Sequence, residues 1–251
     1  MDDAAFADER ARAFVDLTTH IDAISPRHVV DVGCGRGDLT GLLARRWPQA
    51  AVEGVDSSRE LVVAAWAAGE SGVSFSAVDL TQWQPGRDVD VIVCSDLLQT
   101  MPLHLETMAM WAAGLPPGGW LAVQIPDEHD SAAQVLMRRL ADSERWAPAL
   151  RDVDFHANHV ASATSYAEVL LDAGLLTDVW TTTYLDVLHG EDPVLDWLRC
   201  TALAPLLEKL SSEDAEQFCT HLGANLRAAY PPGAHGTVMP IRRVFAVGLK
   251  P

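Results

Sequence analysis

The sequence is short of positive charge. Lysine occurs only at Lys209 and Lys250, and 18 basic residues stand against 35 acidic ones, for a formal net charge of −17. Such a surface repels a phosphate backbone, and no Lys/Arg stripe offsets it, which makes nucleic acid a poor candidate partner. A small anion is still allowed, because a Debye length of about 8 Å at physiological salt confines the repulsion. It would need its own arginine cluster. Cysteine is also sparse. Cys34, Cys94, Cys200 and Cys219 are scattered with no C-x-x-C spacing, which argues against a disulfide framework or a structural zinc site and fits a reducing, cytoplasmic setting. His156 and His159 lack a third ligand spaced nearby, so no metal is expected. No apolar run reaches the roughly 18 residues that span a bilayer. The acidic start Met1-Asp2-Asp3-Ala4 has neither part of a secretory signal.

What is present is regular alternation. Val29–Val32 is an apolar run ending in Gly33-Cys34-Gly35-Arg36-Gly37, followed by an amphipathic stretch, Asp38–Trp47, with Leu39, Leu42, Leu43 and Trp47 at helical spacing. Strands at Ala51–Val55, Val73–Val78, Asp90–Val93 and Trp120–Ile125 alternate with helices at Ser57–Ala68, where Ser57 is a plausible N-cap, and Leu103–Ala113. This pattern predicts an α/β fold with a doubly wound, mostly parallel sheet. After Ile125 it changes. Helices are expected at Ala132–Asp142, Tyr166–Ala173 and across Pro193–Tyr230, with strands at Val179–Val187 and Arg243–Leu249 completing a seven-stranded, Rossmann-like sheet. Residues 1–251 then form a single domain. Residues 28–125 are its cofactor-binding core, and 126–175 and 191–232 are helical insertions forming a lid over an acceptor.

Open parallel sheets bind ligands at the carboxyl ends of their strands, and the glycine turn lies there. A dinucleotide site wants G-x-G-x-x-G, but the sixth position from Gly33 is Asp38, which would repel a pyrophosphate. Asp31 instead suits a cation, such as the ammonium of a methionine moiety. Asp56 ends the second strand with Ser57 beside it, placed to accept from both hydroxyls of a ribose. Asp79 and Leu80 close the third strand, suited to an adenine ring, and Ser95 closes the fourth, beneath an expected sulfonium. Asp31, Gly33, Gly35, Gly37, Asp56, Ser57, Asp79, Leu80 and Ser95 are therefore the candidate residues for S-adenosylmethionine. Cys34 reads as a small residue of the turn, with nothing nearby to activate a thiolate, and His104 as a loop-lining or capping residue sooner than a base.

The chain resembles the class I methyltransferases, and over nearly its whole length the trans-aconitate 2-methyltransferase family. The segments that carry this are Ala5–Arg12, the glycine turn, Arg45–Pro48, Asp56–Ser58, Leu121–Asp127, Thr182–Tyr184, Leu195–Trp197, Tyr230–Pro232 and Arg242–Phe245. The resemblance implies methyl transfer from S-adenosylmethionine to a carboxylate oxygen of a small organic acid, without a metal. It nominates Arg10, Arg12, Arg242 and Arg243 to hold the acid, with Tyr184 and Trp197 as pocket walls, although Trp197 also suits plain core packing. Three positions depart from the family pattern. Asp3 stands for a Tyr, Ser95–Thr100 for Asn-Ala-x-Leu-(His/Gln)-Trp, and His156 for an Arg. Two alternatives stay open: a methyltransferase acting on a less charged small molecule of specialised metabolism, and a non-catalytic S-adenosylmethionine-binding protein. The oligomeric state is not legible.

Overall fold

A computed structural model describes residues 7–69, 71–153 and 160–251, with side chains from residue 11 onward. A helix, α1 (Ala7–Thr19), precedes five alternating strands, β1 (His28–Val32), β2 (Ala51–Asp56), β3 (Val73–Ala77), β4 (Val91–Ser95) and β5 (Trp120–Pro126). Helices α2 (Thr40–Arg46), α3 (Arg59–Ala68) and α4 (His104–Gly114) connect them. Then come α5 (Ala132–Ala141), α6 (Ala147–Leu150), α7 (Ala163–Asp172) and the 13-residue strand β6 (Leu176–Leu188). Helices α8 (Pro193–Thr201), α9 (Ala204–Leu207) and α10 (Ser212–Ala229) lead to β7 (Thr237–Leu249). The seven strands form one sheet in the order β3-β2-β1-β4-β5-β7-β6, and the β1–β2, β1–β4, β2–β3 and β4–β5 pairs are parallel. Chain order reverses between β1 and β4, so the crevice of an open sheet falls at the ends of these two strands.

The chain divides into two compact units. Among the described residues, the sheet unit is 8–126, 160–182 and 244–251, and the helical unit is 127–153 and 183–243. Within the sheet unit, strand alternation sends Val32, Cys94 and Val123 into a core with Trp111, Tyr166 and Leu170. α1 buries Ala13, Phe14 and Leu17, a one-sided stripe, and Ile21 is buried just beyond its end. Its exit is tied down by Arg46 Nη2 donating to Ile21 O at 2.7 Å and Trp47 Nε1 to Ala23 O at 2.9 Å. The helical unit packs Trp146, Leu198, Phe218, Leu222 and Leu226 around Met239 and Ile241.

Several boundaries differ from the sequence reading. The N-cap of α3 is Ser58, whose side chain accepts from Leu61 N, while Ser57 is exposed. The Asp56 carboxylate takes the Ser58 N–H, and this shifts the cap by one. β7 starts six residues before Arg243, and β6 is longer at both ends. Polar residues such as Thr177, Asp178 and Thr237 interrupt both strands, so their full length escaped a reading based on apolar runs. α7, expected in the first insertion (126–175), belongs to the sheet unit. Tyr166 and Leu170 are completely buried in that core. There, Tyr166 Oη accepts from Ala161 N at 3.1 Å and is hydrogen-bonded to His104 Nε2 at 2.9 Å. His104 is thus a core link between α4 and α7, not a loop-lining group.

Candidate active site

The glycine turn follows β1 and lies against the end of β2. Gly33 N and Cys34 N donate to Val55 O at 2.8 and 3.1 Å, and Gly37 N to Cys34 O at 2.9 Å. Gly33, Gly35 and Gly37 have φ of 82°, 56° and 80°, a region that costs any residue with a Cβ. At Gly37 space is closed as well, since a Cβ would lie 2.6 Å from Phe75. Over Gly35 a Cβ would meet nothing within 4 Å. The turn is packed from behind and open in front, a cradle that a ligand backbone or ribose can approach closely.

Asp56 closes the cradle. Its Oδ2 accepts from Gly35 N at 2.9 Å and its Oδ1 from Ser58 N at 2.8 Å. Two main-chain donors thereby set the carboxylate, which keeps a lone pair on each oxygen for a vicinal diol. Asp31 sits deeper, 3% exposed, with Oδ2 accepting from Thr40 Oγ1 at 2.6 Å. Burial lifts its carboxyl to about 6 despite the Thr40 bond, and the charge of Asp56 adds to the rise. A cation placed there would reverse this shift. Burial, with the charges of Asp31 and Asp56, also drives the Cys34 thiol well above its ordinary range, which leaves it inert.

Asp79 and Leu80 lie just past the end of β3. Asp79 is exposed and its Oδ1 takes both Thr81 N, at 3.0 Å, and Thr81 Oγ1, at 2.7 Å. These bonds hold its carboxyl below the usual range. The Leu80 side chain is in the core, so only its backbone is available to a ligand. At the end of β4, Ser95 is half-buried and donates to Gln124 Oε1 at 2.9 Å. Asp96 follows with φ 57°, and Leu97 packs over Gly33. The structure thus gathers Asp31, the three glycines, Asp56 and Ser95 at the carboxyl ends of β1, β2 and β4. Thr40 and Gln124 are additions that the sequence reading passed over. Gln124, a lone polar residue inside Leu121–Ile125, carried a signal that was there to read.

The nominated acceptor residues fare unevenly. Arg242 and Arg243 are consecutive in β7 and face opposite ways. Arg242 is 56% exposed and pairs with Asp127 Oδ2 at 3.0 Å, whereas Arg243 is 7% exposed. Tyr184 and Trp197 are buried in the helical unit, Trp197 within its apolar core. Arg12 is exposed on α1. The Arg10 side chain, Asp3, His156 and His159 lie outside the described residues. Among the described residues no group of three or more His, Cys, Asp or Glu is placed to hold a metal ion, and no helix is long and apolar enough to cross a membrane.

Residues 4–177 match the family model of a methyltransferase domain. The trans-aconitate 2-methyltransferase of Streptomyces avermitilis is 44% identical over 97% of this chain and 93% of its own. That of Mycobacterium marinum is 45% identical over 97% and 92%. The chain belongs to the trans-aconitate 2-methyltransferase family. The protein is a methyltransferase. The fold is shared far more widely. Haemonchus contortus phosphoethanolamine N-methyltransferase 2, solved in complex with S-adenosyl-L-methionine, superposes with a TM-score of 0.56 at 14% identity, covering 100% of this chain and 59% of that one. The seven-stranded, mostly parallel class I sheet expected from the sequence is the sheet observed.

Proposed function

We propose that this protein binds S-adenosylmethionine in the Gly33–Gly37 cradle and methylates a carboxylate oxygen of a small organic acid of the trans-aconitate kind. The observation that carries the cofactor half is the Asp56 carboxylate, fixed by Gly35 N and Ser58 N at the mouth of a turn that is open over Gly35. In this reading Asp56 takes the ribose hydroxyls, Asp31 the ammonium, and the Asp79–Leu80 segment the adenine ring. Bound S-adenosylmethionine supplies a methyl group on a sulfonium sulfur, open to displacement by a carboxylate oxygen. A carboxylate is ionised at neutral pH, so no general base is needed. The protein's part is to align the acid and keep water out, with Arg243, Tyr184 and Trp197 as candidate contacts of the helical unit. The acceptor half rests on relatives named for trans-aconitate, identical at 44–45% over 97% of the chain.

One observation favours a less charged acceptor. Asp96, directly after Ser95 at the end of β4, is half-buried, and a carboxylate there repels a polycarboxylate. Release of S-adenosylhomocysteine across a panel of tri-, di- and monocarboxylic acids separates the two. Turnover greatest with trans-aconitate supports the first reading. Turnover confined to monoacids or hydroxyl compounds replaces it. In the same assay Asp56→Ala removes charge-assisted bonds that contribute about 1.5–3 kcal/mol, equivalent to a loss of roughly ten- to a hundredfold in cofactor affinity. An unchanged affinity in the folded variant would take Asp56 out of the site.

A further inference from the structure

On the face of the sheet that carries Asp31, the last polar groups of β4 and β5 are neighbours. The register pairs Asp31 with Val93 and Ser95 with Gln124. The alternate residues Val32, Cys94 and Val123 point into the core on the other face. By the period-2 rule the side chains of Asp31, Ser95 and Gln124 therefore share one face. Gln124 has no exposed surface, and two of its polar groups are engaged. Its Oε1 accepts from Ser95 Oγ at 2.9 Å, and its main-chain oxygen accepts from Asp96 N at 3.2 Å. The third is not. Nε2 is buried and has no hydrogen-bond partner among the described residues. Buried amide donors are almost always paired, and the exceptions call for an explanation.

The surrounding sequence offers one. Gln124 interrupts the apolar run Leu121–Ile125, where a leucine or methionine would fill similar volume without an orphaned donor. The Ser95 hydroxyl proton is already committed to Oε1, so Ser95 does not donate elsewhere. Ser95 itself is half-buried at the carboxyl end of β4, where an open parallel sheet binds its ligands. Asp96, in the left-handed region at φ 57°, is held by the Gln124 carbonyl and by Gln99 Nε2 donating to Asp96 O at 2.8 Å. The turn that frames this donor is therefore braced from both sides.

We propose that Gln124 is a specificity-determining residue of the transfer reaction, its Nε2 hydrogens held for an oxygen of the acid that accepts the methyl group. The inference rests on the carboxyl-methylating reading above and adds the contact that recognises the acid at the β4 edge. A neutral amide suits this task. It replaces part of the hydration a carboxylate sheds on entering, yet leaves the negative charge on the attacking oxygen, which a guanidinium would draw off. Reversing the amide would present Oε1 instead and select a hydroxyl donor, so the two orientations predict opposite responses to a carboxylate at this position.

The test titrates trans-aconitate into the S-adenosylhomocysteine-loaded protein by calorimetry and follows turnover in parallel, for the parent and for Gln124→Leu, Gln124→Glu and Ser95→Asn. Gln124→Leu should weaken the acid at least tenfold and raise its KM, with S-adenosylhomocysteine affinity within twofold and a melting temperature equal to or above the parent's. A residue with a merely structural role would lower the melting temperature and leave the acid's affinity alone. Gln124→Glu should weaken the acid further at neutral pH and recover as the pH falls and the carboxyl protonates. Ser95→Asn, which keeps Gln124 and serves if Gln124→Leu does not fold, should also weaken the acid by engaging Nε2. A parent that binds the acid no better than Gln124→Leu overturns the inference while the carboxyl-methylating reading stands. So does a loss of S-adenosylhomocysteine affinity that matches the loss for the acid. A parent that binds no trans-aconitate overturns that reading, and this inference falls with it.

Discussion

The sheet unit and the helical unit use their polar residues in opposite ways. At the strand ends of the sheet unit, polar side chains are set by short bonds to main chain or to buried partners. Examples are Asp56 on Gly35 N and Ser58 N, Asp31 on Thr40, and Ser95 on Gln124. In the helical unit, ion pairs such as Arg242 on Asp127, Arg199 on Asp196 and Arg227 on Asp192 are peripheral. Its core cluster is apolar, and Gln134, Asp186, Thr237 and Arg243 are its buried polar side chains among the described residues. A site built on backbone donors is preorganised and tolerates few residue types, so it leaves a motif. A unit built on apolar packing accepts many sequences of similar volume, so its functional side chains are hard to pick out by type.

The largest effect that bears on this contrast lies in the helical core. Phe218, fully buried and edge-on to Trp146 at a centroid distance of 5.3 Å, should cost about 3–5 kcal/mol on truncation to Ala. Calorimetry should show a melting temperature lower by roughly 10 °C. Where the variant remains folded, cofactor affinity should stay within twofold, because none of the cofactor residues lies in that core. Affinity that declines in step with stability would break the distinction between the units.

Next in size is Asp31. Its folded pKa of about 6 lies above the ordinary carboxylate range because of burial. The folded state therefore holds the extra proton between about pH 4 and 6. The stabilising contribution is complete below that window and is lost as the pH rises through 6. Asp31→Asn should then stabilise the unliganded protein above pH 6 by up to about 3 kcal/mol and change nothing near pH 4. Thermal melts across pH 4–7 check this. Cofactor binding by the parent should strengthen from pH 5 to 7 as Asp31 ionises against the ammonium. A difference between variant and parent that does not vary with pH would mean that no buried charge is at work.

The smallest effect sharpens the reading of the helical unit. Arg243→Ala should raise the KM for the acid about tenfold or more, the scale of a charge-assisted bond of roughly 1.5–3 kcal/mol. Arg242→Ala, which breaks an exposed pair with Asp127, should cost less than about 1 kcal/mol and leave KM unchanged. Equal effects would show that strand parity does not select the arginine, and no effect from either would favour the less charged acceptor.

By itself the sequence determined the alternating sheet, the glycine turn, and the acid at the end of each early strand. These depend on local chemistry: positive φ in the turn, apolar runs, and a carboxylate that needs only nearby main-chain donors. Tertiary structure alone decided what depends on register and long-range packing. It assigned α7 to the sheet core through the His104–Tyr166 bond across 62 residues. It turned Arg243 inward and Arg242 outward, since a one-residue slip along β7 exchanges them. It also set Gln124 beside Ser95, 29 positions away. No local pattern specifies such a pairing. It follows from two parallel strands locking in one register, and that lock is set by the apolar side chains on the opposite face of the sheet.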